Sequence, residues 1–418
     1  MIFALIMVLL IALLLLGQPL FIIMGSMAAF CYHFISEENI SIVIGDIFYA
    51  ANKEILLAIP LFVLAGQIMT KGSIAERLID VAKSITAPIP SGLAIASVFS
   101  CASFAAISGS SPVTLIAVGS ILYPALINAG YEKKLSMGIL SVGGTLGIIV
   151  PPSIPMIIFA IMAQVSVVDL FKAGVGPSLV LIGLLCTYAF FRAPKGSRGS
   201  WDIKQVFISL RRGLFSIVMP FVILGGIYSG FFTATESAAI AVLYALFVEL
   251  LIHRELKLRD LFKLFEETAG LLGTLFLILI FAMSFNKFMS YEEIPQNLVA
   301  LMSDMVTSKV TFIIGVNILL LLVGCIMDIM SAILVLAPIL TPMAIHFGMN
   351  PVHFGIMMIV NLEIGYLTPP IGINLFVASG IFKESLSTVI KSIIPLLFVL
   401  LIGLVLISFI PTISLFSL

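Results

Sequence analysis

Two stretches hold the residue types that could do chemistry. Residues 361–374 read NLEIGYLTPPIGIN and residues 143–156 read GGTLGIIVPPSIPM. Each sits in an apolar region yet contains a Pro-Pro pair and two or more glycines. Each proline removes a backbone donor and crowds the turn before it, so no continuous helix passes either pair. In lipid, non-helical backbone survives only where protein covers it or where it lines a watery cavity. The reading is therefore two helices unwound in mid-membrane, with bare carbonyl oxygens turned into a pocket. Such oxygens are hard ligands and suit hard cations.

The two stretches are copies. Pro151 and Pro369 stand 218 positions apart, and so do Gly147 and Gly365, Pro124 and Pro342, Gly130 and Gly348, and Pro177 and Pro395. Paired interruptions at matching places in two halves point to a transporter site at a repeat interface. One candidate ion site joins Ser103 and Ser108 to Gly144, Gly147 and Val150. The other joins Gly324 and Cys325 to Gly365 and Thr368. The competing reading is that these small residues serve only close helix packing.

Asp328 is the sharpest single residue, because an acid deep between apolar helices is a functional candidate by default. Its counterpart at the repeat offset is Ser110, an asymmetry that suits a substrate contact or a gate. An exposed turn is the plainer alternative. Ser153 follows Pro151-Pro152 at the start of a half-helix, where its hydroxyl and the helix N-terminus could hold a carboxylate. Glu236 and Glu363 are expected to cap a helix or pair internally, and neither is taken as a ligand.

Several classes drop out. No phosphate-cradling GxxxxGK[ST] loop is present, so ATP is not expected, and HExxH and GxSxG are absent too. The four histidines are scattered, which argues against an intramembrane hydrolase. Transport would then draw on an ion gradient. The four cysteines lie in apolar surroundings without zinc or redox spacing. Of 418 residues, 61% are hydrophobic and 10% charged, with mean hydropathy +1.25. Soluble domains carry about 25% charged residues, so this is an integral membrane protein in a lipid bilayer. Acids and bases balance at 21 each, and nothing indicates nucleic acid.

The elements that must position these residues follow from hydropathy. Met1–Leu16 is read as a retained membrane helix and Lys71–Pro90 as a surface helix. Leu93–Ile107 and Pro112–Ile127 are short, and the uncharged tip Ser108–Ser111 joins them, which suits a re-entrant hairpin. Val310–Ile326 and Met330–Ile345 form the matching hairpin around Met327–Ile329. Gly176–Phe191, Leu214–Tyr228 and Ala238–Ile252 are expected to span. The basic segments Arg192–Arg212 and His253–Glu267 mark the cytoplasmic side. The expected organisation is N-terminal scaffold helices (1–54) and a first repeat (55–192), with a hairpin near 93–127 and a broken helix near 137–163. Connecting scaffold helices (193–267) follow. A second repeat (268–418) has its hairpin near 310–345 and its broken helix near 356–382. The fold class is thus an all-α integral membrane protein with inverted repeats, two re-entrant helical hairpins and two broken helices.

The ordered motifs resemble those of the large membrane subunit of tripartite ATP-independent periplasmic (TRAP) transporters. They are Gly130-Tyr131, the run from Gly144 to Pro155, Thr233–Ala239, Pro338–Pro342, Pro351–Gly355 and the run from Asn361 to Asn374. The likeness covers essentially the whole chain. It implies an elevator-type transporter, similar to the ion-transporter superfamily, in the bacterial inner membrane. It further implies Na+-coupled import, with at least two ions, of an organic acid delivered by a periplasmic substrate-binding protein. A separate small four-helix membrane subunit would complete the assembly. By this resemblance the two residue sets above would bind Na+, and Ser108, Ser153 and Asp328 would form the substrate region. Sialic acid is the favoured substrate, with C4-dicarboxylates sharing the same motifs. The rival reading is a passive channel or a structural membrane subunit.

Overall fold

The computed structural model describes residues 18–36, 38–192, 202–303, 308–369 and 372–418, with isolated positions besides. Among the described residues there is no strand. Helix α1 (Leu20–Phe34) starts directly after Pro19, and α2 (Ser41–Ala51) follows. A 3-10 turn over Glu54–Leu57 leads into α3 (Ala58–Lys71). Helix α4 (Ile74–Thr86) buries Ile74, Leu78 and Ile79 on one face and carries Glu76, Asp80 and Lys83 elsewhere, as a surface helix should.

The first repeat continues with α5 (Gly92–Ser108), α6 (Ser111–Asn128), α7 (Lys133–Ile149), α8 (Ile154–Ala163) and α9 (Val167–Arg192). Then come α10 (Ile203–Tyr228), α11 (Ala234–Phe247, prolonged by a π turn to Ile252) and α12 (Leu258–Tyr291). The second half holds α13 (Ile294–Ser303), α14 (Lys309–Gly324), α15 (Ile329–His346), α16 (Pro351–Tyr366), α17 (Ile373–Phe382), α18 (Leu386–Phe409) and the short α19 (Thr412–Leu415). Among the described residues eight helices are long and apolar enough to cross a membrane, or nine if the bent pair α7–α8 counts as one span.

Helix limits recur at the repeat offset. The start of α6 at Ser111 matches α15 at Ile329, and its end at Asn128 matches His346. Lys133, which opens α7, matches Pro351, which opens α16. The turn glycines Gly130 and Gly348 both have positive φ, 80° and 74°, which only glycine adopts without strain.

The second copy is upside down. Lys133 at the start of α7 pairs at 3.0 Å with Glu384 just beyond the end of α17. Phe159 near the middle of α8 lies 6.3 Å from Phe354 at the start of α16. The half-helix after each break therefore runs beside the helix before the other break. Parallel copies would instead bring Lys133 next to the start of α16. The two hairpins, α5–α6 and α14–α15, therefore enter from opposite sides.

Three boundaries differ from the sequence reading. Helix α9 starts at Val167 and not at Gly176, and α10 at Ile203 and not at Leu214. Lys204, Arg211 and Arg212 thus lie on α10 and not in a loop. The division at 267/268 falls inside α12. Hydropathy marks only the lipid-facing part of a helix, and helices project past it with charged residues at the interface. Asp202 caps the extended start of α10 by accepting from the Lys204 and Gln205 N–H groups. Met1–Leu16 as a helix, Lys195 and Arg198 lie outside the described residues, save for isolated positions within the first.

Candidate substrate and ion site

The tips of the two hairpins face the same cavities. Ser110 and Asp328, the repeat counterparts, are the residues that open α6 and α15. Both line a cavity of about 340 Å³ and both line a second one of about 230 Å³. The larger cavity is walled by Gly66 and Gln67 of α3, Ser108 at the first tip, Ile154 of α8, Thr274 of α12 and Ser331 of α15. Asp328 is half-buried. Its carboxylate accepts from the Ser331 N–H at 3.0 Å and from the Ser331 hydroxyl. It caps α15 and faces the cavities at once, so the exposed-turn alternative does not hold.

The first tip is held by a hydroxyl network. Ser108 Oγ and Thr114 Oγ1 are 2.7 Å apart, and Thr114 Oγ1 donates to the Ser110 carbonyl at 2.9 Å. Gly147 of α7 packs so closely that a Cβ there would lie 2.5 Å from the Ser110 oxygen and 2.7 Å from Thr114 Oγ1. Gly144 meets Leu115 in the same way, at 2.8 Å. Ser108, Gly144 and Gly147 therefore converge on one tip. Val150 is the residue at which α7 turns to extended backbone, with ψ 122°. Ser103 is five residues before Ser108, about 140° around the helix, so its side chain leaves α5 on another face.

Ser153 begins α8 with an extended backbone and no capping bond from its side chain. Ser153 is 1% exposed, and its hydroxyl has no hydrogen-bond partner among the described residues. The break itself docks on the tip: Ile154 N–H donates to the Gly109 carbonyl at 3.4 Å. A Cβ at Gly109, whose φ is 58°, would lie 3.0 Å from the Pro152 oxygen. Ser153 thus stands behind the first tip.

The second set is drawn together by direct backbone contact. A Cβ on Gly365 would fall 2.6 Å from Gly324 Cα. The Cys325 carbonyl accepts from Gly372 N–H at 3.4 Å, and the Thr368 carbonyl would lie 3.0 Å from a Cβ on Gly372. Two carbonyl oxygens therefore flank one glycine. The Cys325 thiol donates to Leu321 O at 3.0 Å, so its carbonyl and not its sulfur is what it offers. Among the described residues no three His, Cys, Asp or Glu side chains converge as a metal site. Any cation here rests on main-chain and hydroxyl oxygens, the donor set that hard ions prefer. Pro370 and Ile371 of the second break lie outside the described residues.

A family model described as Tripartite ATP-independent periplasmic transporter, DctM component, matches residues 7–413. The chain belongs to this family. A C4-dicarboxylate TRAP transporter large permease protein from Pseudomonas aeruginosa is 40% identical over 91% of this chain and 90% of its own length. Its namesake from Rhodobacter capsulatus is 38% identical over 97% and 96%. An ectoine TRAP transporter large permease from Halomonas elongata is 33% identical over 97% and 96%. The YdaH transporter of Alcanivorax borkumensis shares the fold, with TM-score 0.61 at 16% identity over 88% of this chain and 86% of its own. The chain is thus a multi-pass membrane protein of a transporter permease family.

Sequence reasoning missed Gln67, Thr114 and Thr274. Gln67 had a signal, a lone amide in the apolar run from Phe62 to Met69. Thr114 and Thr274 had none, since hydroxyls are common on membrane helices. Glu236 does cap: it forms a box with Thr233, with bonds of 2.8 and 3.1 Å. Glu363 caps no helix and enters no ion pair among the described residues, and the Thr145 hydroxyl is a polar neighbour of its carboxyl.

Proposed function

We propose that this chain is the membrane transport subunit for Na+-coupled import of an organic acid across the bacterial inner membrane. What supports the reading most is that Ser110 and Asp328, at the tips of the two hairpins, line the same cavities, each tip backed by a broken helix. Na+ would sit on the carbonyl oxygens around Ser108, Ser110 and Gly147, and on those of Cys325 and Thr368. The substrate would lie between them, against Ser108, Ser153 and Asp328. A half-helix N-terminus behind Ser153 favours a carboxylate, and the bound cations offset the charge of Asp328.

Two hairpins with their broken helices would move as a unit against α3 and α12, the elevator motion. A periplasmic binding protein would deliver the substrate and a small membrane subunit would complete the assembly, as the word tripartite in the family description suggests. For the substrate, C4-dicarboxylates move ahead of sialic acid, because relatives at 38–40% identity are named for them. Sialic acid stays as the second arm of the test.

The test is uptake by the reconstituted assembly of labelled succinate and of labelled sialic acid, with and without a Na+ gradient. Saturable uptake that requires Na+ is expected. Uptake unchanged without Na+ refutes the coupling, and flux that neither saturates nor follows a gradient marks a passive channel.

A further inference from the structure

The larger cavity has a second wall, which the substrate contacts proposed above leave out. One wall belongs to the hairpins and carries Ser108, Ser110, Asp328 and Ser331. The other belongs to α3 and α12. Val63, Leu272, Leu275 and Ile278 make that wall apolar, and Gln67 and Thr274 are the polar side chains on it.

Both lie on membrane-spanning helices. Thr274 stands midway along the 34-residue α12. Gln67 is half-buried on α3, next to Gly66, where a Cβ would lie 3.1 Å from Ser108 Cα. It is thus beside the first tip.

Neither side chain enters a hydrogen bond among the described residues. Like residues elsewhere in the fold do. Thr70, Thr86, Thr187 and Thr368 donate to the carbonyl four residues back, a common resting place for a helical hydroxyl. Asn286 donates to Met162 O, and Asn317 to Ile313 O. A polar group left unpaired in lipid is costly. Gln67 and Thr274 instead turn their polar atoms to the cavity. On the hairpin wall, Ser108 is engaged with Thr114 at 2.7 Å, and Ser331 with Asp328. The fixed wall therefore holds donors that the protein itself does not use.

Their chemistry narrows the ligand. A glutamine amide offers two N–H donors and a threonine one O–H. Three donors on one wall suit the oxygens of a carboxylate. No lysine or arginine lines the cavity among the described residues. That matters if the hairpins move against α3 and α12, because bonds to the fixed wall must then break in every cycle. A neutral donor releases a carboxylate more readily than a cationic side chain does. The cavity of about 340 Å³ is near the lower end of the usual range for ligand pockets, about 300–1,000 Å³. A short diacid fits that size better than a large sugar acid.

We infer that Gln67 and Thr274 are the fixed half of the substrate site, holding the second carboxylate of a short dicarboxylate whose first lies at the hairpin tips. The inference rests on the reading above that an organic acid binds in this cavity, and it adds which residues choose the acid.

The test uses the full-length chain in lipid bilayers, in NaCl and without binding protein. Val63→Cys, one turn from Gln67 on the same wall, reports occupancy by its rate of maleimide labelling over the background of the four native cysteines. Succinate is expected to slow the labelling. Its half-protecting concentration should rise about fivefold to tenfold in Gln67→Leu and in Thr274→Val, the effect of one lost hydrogen bond. Thr274→Ser keeps the hydroxyl and should protect as the parent does. Butyrate has a methyl where succinate has its second carboxylate, so these substitutions should leave its effect unchanged. If Gln67→Leu does not fold, the two Thr274 variants carry the test. Succinate protection that is unchanged in either folded variant overturns the inference and leaves the cavity as the substrate site. So does a loss shared equally by butyrate, or by Thr274→Ser. Absence of any protection by succinate, or a Val63→Cys that resists labelling, overturns the reading of the cavity itself, and the inference with it.

Discussion

At the residue scale, Asp328 does two separable jobs. It caps α15 through Ser331, and it lines both cavities between the tips. Losing a cap costs about 1 kcal/mol, which a folded membrane protein withstands. Asp328→Ala should therefore remain folded and lose transport. Asp328→Asn keeps a capping acceptor without the charge, so it should melt like wild type and still fail in uptake. Wild-type uptake in either variant removes Asp328 from the site. Gly365 is constrained by shape alone, since a methyl there meets Gly324 backbone at 2.6 Å. Gly365→Ala should force the second tip off its broken helix at about 1–3 kcal/mol, and it should raise the Na+ concentration needed for half-maximal uptake. An unchanged Na+ dependence would show that this contact does not shape a cation site.

At the element scale, helix ends are fixed by partners distant in sequence. Glu249, fully buried in the π turn that ends α11, accepts from the Ser73 N–H at 3.0 Å and the Ile74 N–H at 3.1 Å. It satisfies donors that α4 would otherwise leave orphaned at its start. Glu249→Ala strands those donors and should cost about 1–3 kcal/mol, read as an earlier thermal transition in detergent. Glu249→Gln keeps an acceptor and should lose less. Equal loss in both would mean that charge, and not the capping oxygen, holds α4. Hydropathy could not reveal this contact, because 175 positions separate Ile74 from Glu249.

At the scale of the whole molecule, the proposed motion must break a contact between scaffold and hairpin. Gly66 of α3 is such a contact: a Cβ there would lie 3.1 Å from Ser108 Cα. A Gly66→Cys, Ser108→Cys pair should therefore cross-link and stop transport until the bond is reduced. Transport that continues with the link closed would rule out sliding at this boundary. The fold class, both hairpins and both breaks could be read from the sequence alone. Each rests on local physics: apolar length for spans, proline for breaks, and a repeat offset that any reader can align. Inversion was legible only as a weak charge asymmetry, and it took the Lys133–Glu384 pair to establish it. The convergence of Ser110 with Asp328, and of Thr145 with Glu363, was decided by tertiary structure. A one-dimensional pattern states which residues correspond, but only the packing of one copy upside down against the other decides which corresponding residues come to share one place in the molecule.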